Sequence, residues 1–478
     1  MEYYAKSKKV QFTSERINEI KKNMKNIEEC LKENLTETDV EILNSSITDI
    51  AEKTEEKQKT LKEHHKDIVT CAEMFFLEYG EYFTEKEKKL VVEACRIHDL
   101  GKVNLVFQAM ICPKLAEKFH IDVRKTSQIP HGFLSAVTIS LDEFDDLSEL
   151  FSDKDFGPFI TAVYYHHDRE DHYNSPAIRK YAEKYYMKQI EEYLNRKIRK
   201  LNCSNLDDLL FRNNVYTGKY IPDSNAWKEY LLIKGLLNKF DYTVSAGYEN
   251  AESAIDLHEK KLVKNIEKFL NGKELRPAQK FMKMNRDKNL IVIAPTGSGK
   301  TEASLLWMNG EKSFYTLPLK VSSNAIYLRI KENYEYKDVA LLHSDAMAVY
   351  LREYNGNEDI GEKYERSKML SQPLTVCTVD QLFRFVYRAL GTEIFAATLK
   401  YSKLVLDEIQ AYEPRVIATI IYGLKMIQEM GGKFAIITAT FPPVLKYFME
   451  QYGLVEGKQY IFKDFTGKEY QVEKYPRH

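Results

Sequence analysis

Adjacent His98 and Asp99 set an imidazole beside a carboxylate, and other side chains of the same two types recur along the chain around them. Neutral imidazole and carboxylate are ligands for Mn, Fe, Co, Ni or Zn, and a carboxylate, unlike an imidazole, readily bridges two ions. His64 and His65 lie in TLKEHHKDIV (60–69), His131 in IPHGFLSA (129–136), and His166 and His167 in VYYHHDRE (163–170). FDYTVSAG (240–247) adds Asp241. Two divalent metals held by such a set could activate a water for attack on a phosphodiester and stabilise the leaving oxygen. His64 and His65 both fit a helix face with Leu61 and Ile68, so spacing leaves the choice between them open. Lys102 could meet a scissile phosphate, or be the cation that favours a helix C-terminus. His120, His172 and His258 read as ordinary histidines satisfied by hydrogen bonds.

A second chemistry lies in LIVIAPTGSGKTEASLL (290–306), where an apolar strand runs into a Gly-rich turn and then a helix. Across Thr296, Gly297, Ser298 and Gly299 the backbone amides can turn inward around a phosphate, and the following helix N-terminus adds partial positive charge. Lys300 would reach the β- and γ-phosphates of ATP and Thr301 would hold Mg²⁺. Asp407 and Glu408 end the apolar run in LVLDEIQ (404–410), where carboxylates suit Mg²⁺ binding and polarisation of a water. Ala294 stands where the strict phosphate-loop pattern has its first Gly, so the loop resembles the variant of superfamily 2 helicases. Gln279 in LRPAQ (275–279) resembles their adenine-reading glutamine, and ITAT (437–440) their coupling motif. TVCTVDQLF (375–383) and YTLPLK (315–320) resemble their nucleic-acid contacts; His343 in LLHSD belongs to that surface or is an ordinary surface histidine.

Positioning these groups takes two unlike halves. Most of the eleven histidines precede residue 260, in charged segments with apolar residues at three- and four-residue spacing, which predicts helices. Leu90 or Val91, Ala94 and His98 share such a face, with Gly101 as helix terminator. After about residue 285 come short apolar runs, 290–294, 403–407 and 434–438, that read as buried parallel strands. The expected fold is therefore multidomain: an all-α metal-dependent phosphohydrolase domain, then an α/β RecA-like lobe with a parallel sheet. Its expected parts are a polar helical extension (1–60), the metal domain (61–260), a helical connector (261–272) and the P-loop lobe (273–478). The residues after Thr440 are too few for a second lobe of about 150 residues. ATP hydrolysis is thus expected to be incomplete in this chain, the second lobe being truncated or supplied in cis or in trans.

Composition narrows the classes. In 478 residues, Lys plus Arg number 70 against 71 Asp plus Glu, which excludes whole-chain polybasic adhesion and leaves a local groove for nucleic acid. No apolar run spans a membrane, and the N-terminus has no signal-peptide core, so a cytoplasmic protein without a membrane partner is expected. The six cysteines lack CxxC spacing and indicate neither zinc ribbon nor disulfide framework.

The ordered series His, His-Asp, His, His-His, Asp resembles the HD phosphohydrolase superfamily, and its Glu-His pattern favours His64, preceded by Glu63, over His65. An HD site followed by a superfamily 2 lobe resembles the type I CRISPR-associated helicase–nucleases. YYAKS at the N-terminus, the doubled His166-His167 and the DEIQ box match that style. The resemblance implies a metal-dependent single-stranded DNA endonuclease coupled to an ATP-dependent motor and recruited by a crRNA-guided surveillance complex in antiviral defence. It implies two transition-metal ions (Mn, Fe, Co or Ni), one on His64, His98, Asp99 and Asp241, the other on Asp99 as bridge with His131, His166 and His167. Asp99 and Lys102 would be catalytic. The alternatives are a small-nucleotide HD phosphohydrolase with a regulatory ATP-binding lobe, and a binding module that holds nucleic acid without catalysis.

Overall fold

A computed structural model describes residues 3–5, 59–139, 156–167, 175–198, 201, 225–253, 260–353, 360–455 and 460–467. Most of the expected N-terminal extension, with His172 and His258, lies outside the described residues. Contacts divide the chain into two compact units. The first is 1–252 together with 345–371 and 388–398; the second is 253–344, 372–387 and 399–478.

In the first unit the described elements that carry the site are helices. Helix α1 (Leu61–Tyr79) and helix α2 (Glu85–Ile97) open with the same device. Thr60 and Glu63, and again Thr84 and Glu87, exchange side-chain-to-backbone hydrogen bonds that satisfy otherwise orphaned amides. Such a cap stabilises a helix by about 1 kcal/mol. Leu61, His64, Ile68, Cys71, Ala72, Phe75 and Tyr79 are buried on α1, so His64 belongs to the apolar stripe itself. Helices α3 (His131–Thr138) and α4 (Phe156–Tyr164) are buried almost throughout. So is most of α5 (Asn225–Ser245), which packs against α1, α2 and α4. A helix buried on nearly every face needs apolar residues all round, which is why these segments show no clean polar side. Among the buried polar residues of α5 are two lysines, both paired. Lys234 pairs with Glu393 at 2.9 Å, and Lys239 reaches Glu252 at 2.8 Å and the Met369 carbonyl at 2.9 Å.

The second unit is built on a seven-stranded parallel sheet of order β3-β4-β2-β5-β6-β1-β7. Its strands are β1 (Asn289–Ile293), β2 (Ser313–Leu317), β3 (Val339–Leu342), β4 (Leu374–Thr378), β5 (Lys403–Asp407), β6 (Lys433–Thr438) and β7 (Tyr460–Asp464). β1 to β5 are buried at every position, as expected of parallel strands covered on both faces. Edge strand β7 is half-buried and its YIFKD carries no continuous apolar run, so its sequence gives little sign of it. The expected connector contains a helix over Lys261–Leu270 that buries Leu262, Val263 and Ile266. Helix α6 (Pro277–Met284) then precedes β1, and helix α7 (Lys300–Met308) follows the Gly-rich turn. The carboxyl ends of β1, β5 and β6 form the crest on which α/β sheets bind ligands.

Candidate functional site

Helix ends bring seven histidine and aspartate groups of the first unit together. His64 projects from the first turns of α1, and His98 and Asp99 follow the last turn of α2. His131 opens α3, His166 and His167 come directly after α4, and Asp241 sits near the end of α5. Asp99 is the centre. Its Oδ2 lies 3.3 Å from His64 Nε2 and 3.4 Å from His98 Nε2, while its Oδ1 lies 3.2 Å from His131 Nε2 and 3.7 Å from His166 Nε2. His64 Nε2 is also 3.2 Å from Asp241 Oδ1. The ligand atoms fall into two groups, His64–His98–Asp99 and Asp99–His131–His166–His167, with Asp99 in both. His65 points elsewhere: its Nδ1 is 3.2 Å from the Tyr193 hydroxyl.

The donor set fits cations. Nε2 of His64, His98, His131 and His166 and Oδ1 of Asp99 are buried and have no hydrogen-bond partner. Such atoms cost about 1–3 kcal/mol each when left unsatisfied, so their convergence on one carboxylate calls for a ligand. The opposite ring nitrogens are anchored. His98 Nδ1 is 3.0 Å from the Cys95 carbonyl and His166 Nδ1 2.6 Å from that of Val163. A proton on each Nδ1 leaves the Nε2 lone pair free, the usual arrangement of metal-binding histidines. Burial favours the neutral ring at three of the histidines, pushing His131 down to about 3 and lowering His166 and His167. At His98 burial also acts downward, but the Asp99 carboxylate outweighs it and raises the ring. At Asp99 burial acts upward, but the His98 and Lys102 charges outweigh it and hold the carboxyl well below its usual range. Lys102 Nζ is 2.6 Å from Asp99 Oδ2.

On the crest of the sheet, Gly297 and Gly299 take positive φ, 77° and 80°, in the turn between β1 and α7. A Cβ at Gly299 would fall 2.2 Å from Gln279 Nε2, so the loop has no room for a side chain there. Gln279 accepts a hydrogen bond from the Arg276 amide at 3.0 Å and reaches the Gly299 carbonyl at 3.4 Å. Lys300 pairs with Glu408, which also accepts from Gln410. Glu408 itself is left-handed at φ 55°, a backbone conformation unusual for a side-chain-bearing residue and typical of functional turns. Burial raises Asp407 to about 6, although the Tyr315 hydroxyl, donating at 2.7 Å, and Lys300 oppose the shift. Burial also pushes Glu408 upward, yet its bonds from Gln410 and Lys300 prevail and hold it below its usual value. Asp407 Oδ1 and Ser298 Oγ are buried without a partner, which suits a Mg²⁺-bound nucleotide. His343, read as a surface residue, is instead buried and 2.6 Å from Asn324 Oδ1.

The Cas3 HD domain family matches residues 51–225, and the DEAD/DEAH box helicase family matches residues 277–448. Over most of its length the chain is therefore similar to Cas3 nuclease/helicases. It is 25% identical over 464 residues to the CRISPR-associated nuclease/helicase Cas3 of Methanothermobacter thermautotrophicus, covering 84% of this chain and 54% of that protein. It is 25% identical over 190 residues to the CRISPR-associated endonuclease/helicase Cas3 of Escherichia coli, covering 34% of this chain and 21% of that one. Among solved structures, ADP-bound Cas3 of T. fusca superposes with a TM-score of 0.57 at 16% identity, over 84% of this chain and 50% of that one. The chain thus spans about half the length of the Methanothermobacter thermautotrophicus and T. fusca proteins. The fold is that of Cas3, a helical HD region followed by a parallel-sheet helicase lobe.

Two features of this Cas3-family fold escape sequence inspection. A Cβ on Gly101 would fall 2.0 Å from the His131 carbonyl oxygen, so Gly101 allows backbone contact. It does not end the helix, which stops at Ile97, but lies in the 3-10 turn Leu100–Val103 that follows. Ser135 completes that contact, accepting from the Gly101 amide at 2.8 Å and donating to the His131 carbonyl at 2.9 Å. In the sequence the only trace of it is a hydroxyl four residues after His131, one helical turn away.

Proposed function

We propose that the first unit is a two-metal nuclease for single-stranded DNA and that the second holds the ATP of a DNA-translocating motor. One observation carries the nuclease reading: Asp99 turns one carboxylate oxygen to each of two ligand groups, in which Nε2 of His64, His98, His131 and His166 is buried and unpartnered. When bound, two divalent transition-metal ions (Mn, Fe, Co or Ni) would supply an activated water and charge stabilisation for the leaving oxygen. His64, His98 and Asp241 would hold one ion and His131, His166 and His167 the other, with Asp99 between them. The protons on Nδ1 of His98 and His166 would fix their rings, and burial would keep the His166 ring neutral at physiological pH. Lys102, beside Asp99, would meet the scissile phosphate. On the sheet, Thr296 to Gly299 and Lys300 would cradle the phosphates, Thr301 with Asp407 would serve Mg²⁺, Glu408 would polarise water, and Gln279 would read adenine. A second lobe, in cis or in trans, would bring the arginine that hydrolysis needs. Recruitment by a crRNA-guided surveillance complex would direct this activity, in the cytoplasm, against foreign DNA.

Circular single-stranded DNA tests the proposal, because a circle has no ends and linear products require internal cutting. Cutting with Mn²⁺ or Ni²⁺, absent in EDTA and in Asp99→Ala, is expected without ATP. Hydrolysis of dNTPs or cyclic nucleotides with intact circles would replace the reading with a small-molecule phosphohydrolase.

A further inference from the structure

One fully buried side chain beside the phosphate loop has a hydroxyl that the nucleotide reading leaves without a role. Tyr315, on β2, donates its phenol hydroxyl to Asp407 Oδ2 at 2.7 Å. The Thr301 and Ser304 hydroxyls both lie near the same phenol and favour its ionised form. Strands β2 and β5 are neighbours, and their register pairs Tyr315 with Val405, two residues before Asp407. The phenol therefore reaches along the strand to the carboxylate at its end. Asp407 Oδ1, the oxygen that the phenol leaves alone, is buried and has no partner.

We propose that Tyr315 is a positioning residue for the Mg²⁺ of the nucleotide site, a phenol set between its two expected ligands, Thr301 and Asp407. The proposal rests on the reading of that site as an ATP site. A phenol has one proton to give and lone pairs to accept with. Donating to Asp407 Oδ2 fixes the carboxylate's rotation so that Oδ1 faces the site. Accepting from the Thr301 hydroxyl turns the threonine's proton inward and its lone pairs outward. Both oxygens are then presented together, without a direct bond between them that would have to break on binding. Tyr315 touches neither nucleotide nor metal in this arrangement; it acts through the two ligands.

Tyr315→Phe removes one oxygen and keeps the ring, so the buried packing of β2 is preserved. The test is a titration of the full chain with a fluorescent ATP analogue, in EDTA and across a range of Mg²⁺ concentrations. The expected result is unchanged affinity in EDTA and a Mg²⁺ half-saturation raised by about 10-fold or more, the usual effect of losing an outer-shell partner. Asp407→Ala should raise it further, and adding Tyr315→Phe to that variant should cost less than Tyr315→Phe does alone, because one of the two ligands it positions is already gone. A half-saturation within about twofold of the unaltered chain overturns the inference. So does an equal loss of affinity with and without Mg²⁺, which marks a merely structural role. If the unaltered chain shows no Mg²⁺-dependent nucleotide binding, the ATP reading fails and this inference with it. Should Tyr315→Phe melt early, the effect of Thr301→Ser, which keeps the hydroxyl, against Thr301→Val, which removes it, decides on the same Mg²⁺ scale. Equal half-saturation for the serine and valine variants overturns the inference.

Discussion

The two candidate sites solve the problem of buried polarity in opposite ways. In the HD unit, four imidazole nitrogens and a carboxylate oxygen are packed together with no hydrogen-bond partner. On the sheet, Lys300 is paired with Glu408, and Glu408 with Gln410, so the loop's charges largely satisfy one another. The first site is built in a form that is costly until a cation arrives, and the second in a form that a ligand must open. Ligand binding should therefore stabilise the HD unit strongly, since any species that binds only the native state shifts folding by mass action. Nucleotide binding should be the weaker event, because part of its energy goes to separating an ion pair.

The sharpest way to break this contrast is Asp99→Ala. Metal-dependent cutting should fall by at least ~100-fold, beyond the range for outer-shell partners, and calorimetric metal stoichiometry should drop. Cutting that survives would mean that the two ligand groups do not share Asp99.

A second buried-charge system separates unpartnered from paired groups within one unit. Lys234 and Glu393 are both almost fully buried, and the Tyr230 hydroxyl donates to Glu393 at 2.7 Å. Glu393→Gln should cost roughly 3 kcal/mol at neutral pH in a denaturation experiment, because Lys234 is left buried and unpaired. Burial pushes the Glu393 carboxyl up, but Lys234 and Tyr230 prevail and hold it below its usual value. A depressed folded-state pKa contributes stability that is present above the unfolded value and lost as pH falls through the folded one. The unaltered chain should accordingly lose stability more steeply below about pH 4.3 than Glu393→Gln. Parallel acid limbs for the two proteins would show that this pair is not held as described.

Ser135→Ala tests whether the contact between the Asp99 loop and α3 tunes the metal site. Metal affinity should fall by about 10-fold, with the fold retained, as measured by calorimetry beside a melting curve. Glu408→Gln should have the smallest effect and the opposite sign. Freed from its partner, Lys300 should bind a fluorescent ATP analogue a few-fold more tightly, the gain expected from removing one nearby negative charge in a partly solvated site. Weaker binding would show that the Lys300–Glu408 pair is no obstacle to the nucleotide.

The contrast also explains what could be read from residues alone. The phosphate loop is contiguous, and its strand, turn and helix are local patterns, so 290–306 announced both its fold and its chemistry. The HD groups come from helix ends scattered between residues 64 and 241. No periodicity links them; their order along the chain suggested one site through resemblance, while the structure supplies the distances. Between His64 and His65 spacing could not decide, because neighbours on a helix differ by about 100° and only packing tells which is inside. Tyr315 and Ser135 were illegible for the same reason, since their partners are distant in sequence. The assignment of 345–371 and 388–398 to the first unit has a similar origin, in contacts made by Lys234 and Lys239 with residues more than a hundred positions away.

Gly101 against the His131 carbonyl carries a last consequence, for ion size. The two ligand groups meet there backbone to backbone, bridged by the small Ser135 hydroxyl alone, which is hydrogen-bonded to both. First-row ions of different radius would have to be accommodated by tilting imidazoles, while the two helix ends keep their separation. The cluster has a fixed frame with movable teeth, and exchanging one metal for another should change its ring orientations and leave its helices where they are.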